Sequence, residues 1–141
     1  MKTKWDALIT KISFEYAELS KDIHFQDQLL LKAKENSDTI QTQIKDIQST
    51  LDQKNDQLAI DARANWQFLK QLFSLQERCQ DNIAAIEADL DGLNREAIAL
   101  LKEKKKYEML SENQILREMH AEIRKEDEEL DDKTTMSWRF R

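Results

Sequence analysis

Residues 37–51, SDTIQTQIKDIQSTL, carry a large aliphatic side chain at every third or fourth position. Ile40, Ile44, Ile47 and Leu51 are separated by steps of four, three and four, and the residues between them are polar or charged. Such alternating steps average 3.5 residues, the repeat of a coiled coil, and keep the apolar side chains on one stripe of an α-helix. The stretch therefore predicts a helix that buries one narrow stripe against another helix.

The same spacing extends over most of the chain and forms two stripes. The first comprises Tyr16, Leu19, Ile23, Gln26, Leu30, Ala33, Ser37, Ile40, Ile44, Ile47, Leu51, Lys54 and Leu58. Trp5, Leu8 and Ile12 carry it towards the N-terminus, with a slip of one residue before Tyr16. The second comprises Leu69, Leu72, Gln76, Cys79, Ile83, Ile86, Leu90, Leu93, Ala97, Leu100, Lys104 and Tyr107. A looser stripe of Leu110, Ile115, Met119, Ile123 and Leu130 follows.

Composition supports long helices rather than a globular core. The chain has 141 residues, no proline, one glycine and 35% charged residues, and its mean hydropathy is −0.78. A length of this order indicates one domain. The single glycine, Gly92, lies between Leu90 and Leu93, which are in phase with each other on the second stripe. We therefore expect Gly92 to lie inside a continuous helix, where it costs about 1 kcal/mol relative to alanine.

The two stripes are out of phase by one residue, and this break predicts a turn. Residues 59–65, AIDARAN, lie between the stripes, and Asp61 and Asn65 tolerate turn conformations. The predicted fold is all-α, a long antiparallel two-helix coiled-coil hairpin that forms a single unit over residues 1–141. Its helices span about residues 3–59 and 66–132, with a turn at 60–65 and a C-terminal tail at 133–141. A turn near residue 62 pairs the N-terminus with about residue 121 and leaves residues 122–141 as an overhang.

Several functional classes are disfavoured by the same composition. A net charge of −6 with both signs interspersed gives no nucleic-acid footprint. The longest apolar runs are too short for a membrane span, no secretory signal is evident, and one cysteine excludes an internal disulfide. We therefore expect a cytoplasmic protein without direct membrane insertion.

Catalytic and metal-binding motifs are missing from the sequence as well. His24 and His120 lack neighbouring ligands, and Cys79 lies on the second stripe as a small core residue. The run of lysines at residues 102–106 is interpreted as a solvated helix face, since Glu103 and the acidic residues that follow dilute it. A two-helix hairpin offers no water-excluding pocket. We expect that the chain binds no cofactor and is not an enzyme.

Residues 65–79, NWQFLKQLFSLQERC, form the most aromatic part of the chain. Phe68, Leu72, Leu75 and Cys79 lie at helical spacing on a stripe rotated partly off the seam. Two interpretations are open. These residues either cap the seam of the hairpin itself, or they form an exposed patch that docks on another protein.

The chain resembles the FliJ family of bacterial flagellar export proteins, which are small cytoplasmic coiled-coil hairpins of about this length. The resemblance covers almost the whole sequence. It is strongest in residues 66–79, WQFLKQLFSLQERC, and in residues 104–135, KKKYEMLSENQILREMHAEIRKEDEELDDKTT. The second segment is similar to the family's C-terminal pattern of paired basic residues, spaced glutamates and a closing Leu130, Asp131 and Asp132. The aromatic end of the chain, TMSWRFR, departs from the mainly basic tail expected there.

The resemblance implies the central stalk of the flagellar type III export apparatus. Its partners would be a hexameric export ATPase, into which the two ends of the hairpin insert, a membrane protein of the export gate, and export chaperones. The gate contact would fall on Phe68, Leu72, Leu75 and Cys79. The ATPase contact would fall on Glu122, Arg124, Glu129, Leu130, Asp131 and Asp132. The expected location is the cytoplasm, peripheral at the inner-membrane export apparatus.

Three alternatives are open. Injectisome stalk proteins share this architecture. A coiled-coil hairpin chaperone would hold unrelated unfolded chains in solution, which a stalk should not do. A tether built from one long helix would be an obligate dimer, whereas a hairpin would be monomeric.

Overall fold

The structure is a computed structural model that describes residues 2–53 and 59–139. These residues form two α-helices and no strand: α1, Asp6–Gln53, and α2, Ala59–Arg139. The fold is all-α, an antiparallel helical hairpin, as predicted. The chain divides into two compact units, which are described separately: a central unit of Leu19–Glu96, and a terminal unit of Met1–Glu18 with Ala97–Arg141.

The two predicted stripes are the buried seams of these helices. Each stripe residue from Tyr16 to Leu51 and from Leu69 to Tyr107 is buried or half-buried. Lys54 and Leu58 lie outside the described residues. One detail near the N-terminus was wrong: Leu8 is exposed, and Ile9 is half-buried instead. With Ile9 in place of Leu8 the steps between Trp5 and Tyr16 are four, three and four, so no phase slip occurs.

The predicted turn at residues 60–65 and the predicted end of the second helix differ from the structure. α2 begins at Ala59, so residues 60–65 are helical, and α1 ends at Gln53. Asp61 lies in the first turn of α2, where a carboxylate is favoured by the exposed N–H groups and the helix dipole. α2 also continues to Arg139, through most of the predicted tail at 133–141. Residues 54–58, on which part of the predicted first helix falls, lie outside the described residues.

The central unit is held by two apolar clusters across its seam. Ile44 packs with Leu69 and Leu72, while Ala33 packs with Ile86 and Leu90. Later residues of α2 therefore meet earlier residues of α1, which makes the pair antiparallel. Ile44 and Leu69 are the most deeply buried large side chains, and full burial of such a side chain contributes about 1.5–3 kcal/mol.

Charge pairs contribute little to the central unit. Lys34 Nζ lies 4.0 Å from a Glu87 carboxylate oxygen, but both side chains are more than half exposed. Exposed pairs of this kind contribute about 0–1 kcal/mol. Gly92 lies inside α2 without a positive φ, and a Cβ added there would meet nothing within 4 Å. The prediction that Gly92 belongs to a continuous helix is confirmed.

The terminal unit is closed by polar and aromatic contacts near the start of α1. Thr3 N donates a hydrogen bond of 2.8 Å to Asp6 Oδ2, and the Thr3 hydroxyl donates one of 3.2 Å to Asp6 Oδ1. This arrangement resembles a capping box, which satisfies N–H groups at a helix start. The Ser111 hydroxyl lies 2.8 Å from the Thr3 hydroxyl, and Trp5 stacks on Tyr107. These contacts join the first residues of the chain to α2.

Candidate functional site

The aromatic segment of α2, residues 65–79, contains both core and surface residues. Leu69 and Leu72 are buried in the cluster around Ile44. Trp66, Phe68, Phe73 and Leu75 are exposed. The segment therefore supplies one end of the central seam and also leaves large apolar side chains in solvent.

The exposed side chains lie on two different flanks of the seam. Successive residues of an α-helix are rotated by about 100°, so residues seven apart lie almost above each other. Trp66 and Phe73 thus share one flank, and Phe68 and Leu75 share the opposite flank. We call these the Trp66 flank and the Phe68 flank. They are separated by the buried residues of the seam, so they are two surfaces rather than one patch.

The structure corrects part of the predicted gate contact. Leu72 is 3% exposed and packs in the core, so it offers no surface to a partner. Cys79 is half-buried on the seam and has a free thiol. Phe68 and Leu75 remain as surface residues, at 48% and 45% exposure. The predicted stripe failed at Leu72 because that residue is also a seam position, and it can face only one way.

A polar layer interrupts the apolar seam beside the aromatic segment. The buried Ser37 hydroxyl accepts hydrogen bonds from Gln76 Nε2 at 3.0 Å and from Gln80 Nε2 at 3.1 Å. Gln76 Oε1 is buried, and no hydrogen-bond partner for it is found among the described residues. Polar groups inside a coiled-coil seam favour the one register in which they meet, at a cost in stability. The stripe contained Ser37 and Gln76, but it gave no sign that they form a layer with Gln80.

The C-terminal part of α2, residues 116–138, is exposed at every position. We call it the C-terminal segment. It begins earlier than the predicted overhang at 122, because α1 ends at Gln53 and pairing is therefore shifted towards the N-terminus of α2. All residues of the predicted ATPase contact lie on this segment and are exposed: Glu122, Arg124, Glu129, Leu130, Asp131 and Asp132.

Charged residues mark the end of the seam. Up to residue 138, the last half-buried residues of α2 are Gln114 and Ile115, and the Gln114 amide nitrogen donates to Glu118 Oε1 at 3.2 Å. Continuing the three-and-four spacing beyond Gln114 leads to Glu118, Ala121, Lys125 and Glu128, all exposed. Unpaired charges are expensive to bury, so these positions do not extend the apolar seam.

No metal centre is found in the part of the chain that the structure describes. Within residues 2–53 and 59–139, no three or more His, Cys, Asp or Glu side chains are grouped so that they could hold a metal ion. His24 and His120 are both exposed. The same residues include no helix long and apolar enough to cross a membrane.

Comparisons of the chain with protein-family models, with curated proteins and with solved structures found no match.

Proposed function

We propose that this chain is the stalk component of a bacterial flagellar type III protein export ATPase complex, where it binds the ATPase ring and the membrane export gate. The proposal rests on the resemblance of residues 66–79 and 104–135 to the FliJ family. An antiparallel helical hairpin is the architecture that this resemblance implies. The role is one of binding and coupling, without catalysis by the chain itself.

The observation that carries the proposal is the exposed C-terminal segment. It bears the acidic and apolar residues expected to contact the ring, including Glu129, Leu130, Asp131 and Asp132, with their side chains in solvent. A helix segment without a packing partner is marginally stable in water, because helix formation has a costly nucleus and most helical stability in proteins comes from tertiary packing. Binding in a ring would supply the missing packing for the segment.

The Phe68 flank supports the second half of the proposal. Phe68 and Leu75 are exposed apolar residues one heptad apart on α2, a spacing that suits helix recognition by a groove or another helix. Their exposure favours a docking role over capping of the hairpin's own seam, which is the work of Leu69 and Leu72.

Two triple variants with the same loss of charge test the ring contact. Glu129→Ala/Asp131→Ala/Asp132→Ala removes three predicted contact residues, and Glu126→Ala/Asp127→Ala/Glu128→Ala removes three neighbouring carboxylates. All six side chains are exposed. We expect the first variant to lose stimulation of the purified export ATPase and the second to retain it. Equal stimulation by both variants would contradict the proposed contact, and no stimulation by the unmodified chain would contradict the function.

The alternatives have their own readouts in the same preparations. A chaperone would suppress aggregation of unrelated unfolded proteins, which we expect this chain not to do. An injectisome stalk would stimulate an injectisome ATPase in preference to the flagellar one. Capture of a hexameric ATPase from native cells, followed by its identification, separates these two export systems.

A further inference from the structure

A further apolar stripe, distinct from the two seam stripes, runs along α2 on the side away from the seam. Met109, Leu116, Ile123 and Leu130 follow each other at intervals of seven residues and are 51–60% exposed. Met109 lies two residues from both Tyr107 and Ser111, which are seam positions. Two residues correspond to about 200° of rotation, so Met109 points away from the seam. We call this set the outer stripe.

Basic residues accompany the first part of the outer stripe. Two shallow grooves open on this side of α2, and no carboxylate is among their lining residues. One is lined by Lys102, Lys105, Lys106, Met109, Leu110 and Asn113, and the other by Arg117, His120, Ile123 and Arg124. The linings of these two grooves are therefore apolar and basic, although the chain as a whole is acidic and Glu112 lies between Met109 and Leu116 on the same face.

The charge reverses just beyond these grooves. Residues 126–132, EDEELDD, contain six carboxylates and no basic residue. Asp127 and Asp131 lie on the same face as Leu130, since they are four and eight residues from Ile123. One face of α2 thus carries a basic block at 102–106 and an acidic block at 126–132. The outer stripe lies between the two blocks, and its last residue, Leu130, lies within the acidic block.

We propose that the outer stripe is a self-association surface, on which a second copy of this chain docks antiparallel about a two-fold axis near Leu116. That register places Met109 opposite Ile123 of the second copy and Leu116 opposite its own equivalent. It also places Lys105 and Lys106 opposite Asp127 and Glu126 at both ends of the interface, and Lys102 opposite Leu130. A parallel arrangement would instead set the two acidic blocks side by side, which is repulsive.

This pairing joins two hairpins through their outer faces and leaves the seam within each hairpin unchanged. It differs from a tether, in which one long helix would exchange its seam with another chain. We expect a concentration-dependent equilibrium that weakens as salt is added, because charged blocks meet across the interface. The inference concerns the protein alone and does not depend on the proposed export function.

Sedimentation velocity of the full chain tests the surface. We expect reversible monomer–dimer behaviour over about 1–500 µM, the range in which weak interfaces are populated. Leu116→Glu places two carboxylates face to face at the axis and should weaken association by about tenfold or more. Phe14→Glu, at another exposed apolar residue, is the matched control and should associate normally. A monomer at all concentrations, or an unchanged dimer in Leu116→Glu, would refute the proposal.

Charge reversal tests the two blocks. Lys102→Glu/Lys105→Glu/Lys106→Glu and Glu126→Lys/Asp127→Lys/Glu128→Lys should each fail to self-associate, since in each variant the substituted residues face residues of their own sign across the interface. An equimolar mixture should form a heterodimer, because each block then faces its opposite. Two variants that still dimerise separately, or that stay monomeric when mixed, would contradict the proposed complementarity.

Spin-label distances test the orientation, in a chain in which Cys79→Ala removes the native thiol. Labels at Arg117→Cys lie next to the axis and should be close together in the dimer. Labels at Lys133→Cys should be about 50 Å apart in an antiparallel pair, from the helix rise of 1.5 Å. Short distances at both positions would mean a parallel pair. Binding of a monomer to phosphatidylserine vesicles that is lost in Leu116→Glu would assign the face to a lipid surface instead.

Discussion

Trp5 stacks on Tyr107 with ring centroids 5.6 Å apart and planes inclined by 21°. The stack joins the residue before α1 to a seam position of α2, in a unit that has few other large buried side chains. Lys4 Nζ lies 4.9 Å from the centroid of the Trp5 ring and adds a cation–π contact. The stack lies beside the contact between Thr3 and Ser111, and together they end the paired part of the terminal unit.

Replacing Trp5 should therefore destabilise the terminal unit. We expect Trp5→Ala to lower the free energy of unfolding by about 1–3 kcal/mol, since the side chain is half-buried and its stack contributes about 0.5–1.5 kcal/mol beyond its buried area. Urea unfolding followed by circular dichroism measures the change. Trp138→Ala is the matched control. Because Trp138 is 72% exposed, this variant should unfold at the same urea concentration as the unmodified chain. Equal effects of both variants would refute the importance of the stack.

The polar layer at Ser37 predicts that a triple substitution is less destabilising than the single substitution within it. Ser37→Ala removes the acceptor for two glutamine amides and should cost about 1–3 kcal/mol. Ser37→Ala/Gln76→Leu/Gln80→Leu makes the layer apolar and should recover that loss or exceed it, because no polar group stays buried without a partner. Denaturant unfolding of the two variants gives the comparison. A triple variant less stable than Ser37→Ala would contradict this account.

The Phe68 flank should be dispensable for stability and necessary for binding. Phe68→Ala/Leu75→Ala trims two half-exposed side chains in a helix, so the free energy of unfolding should change by less than about 1 kcal/mol. Affinity for the export gate should be lost. Thermal unfolding beside a binding assay measures both quantities.

Two controls separate surface from core in that experiment. Trp66→Ala/Phe73→Ala makes similar changes on the opposite flank and should leave gate binding intact. Leu69→Ala/Leu72→Ala empties the seam and should cost about 4–10 kcal/mol, since each buried leucine contributes about 2–5 kcal/mol. A large loss of thermal stability in the Phe68→Ala/Leu75→Ala variant would show that these side chains cap the seam of the hairpin instead.

Gly92→Ala should stabilise the central unit. The residue is helical, no positive φ is needed, and the added Cβ meets nothing within 4 Å. The gain expected from helix propensity is about 0.5–1 kcal/mol. Ala88→Gly, one turn earlier at another exposed position, should destabilise by a similar amount. A loss of stability in Gly92→Ala would mean that the flexibility of glycine is required there.

Most of the fold was predictable because the spacing of apolar residues alone indicates which side of each helix is buried in a coiled coil. From Tyr16 to Leu51 and from Leu69 to Tyr107, each stripe residue proved buried or half-buried. The turn was not predictable to the residue, because Asp61 and Asn65 suit a turn and the first turns of a helix equally well. That error placed the start of the unpaired segment at residue 122, whereas the exposed C-terminal segment begins at residue 116. The N-terminal contacts of Thr3 and Trp5 depend on this register, so the sequence could not reveal them.

The candidate site was predictable only in part, for a reason of geometry. Helical spacing placed Leu72 both on the second stripe and on the predicted docking stripe with Phe68 and Leu75, and spacing alone does not show that one role excludes the other. Leu72 is buried, whereas Phe68 and Leu75 are exposed. The outer stripe was hidden for the opposite reason: Met109 and Leu116 fall off the seam pattern, and residues at steps of seven are conspicuous only once the seam is known.

The charged residues that follow Gln114 make the length of the pairing a property of α2. Residues added in front of α1 would meet Glu118, Lys125 and Glu128 where a seam needs apolar side chains. Such an extension would lengthen α1 without lengthening the seam, because each further helical turn of pairing would have to desolvate those charges. These charged positions thus keep the C-terminal segment out of the hairpin's own seam.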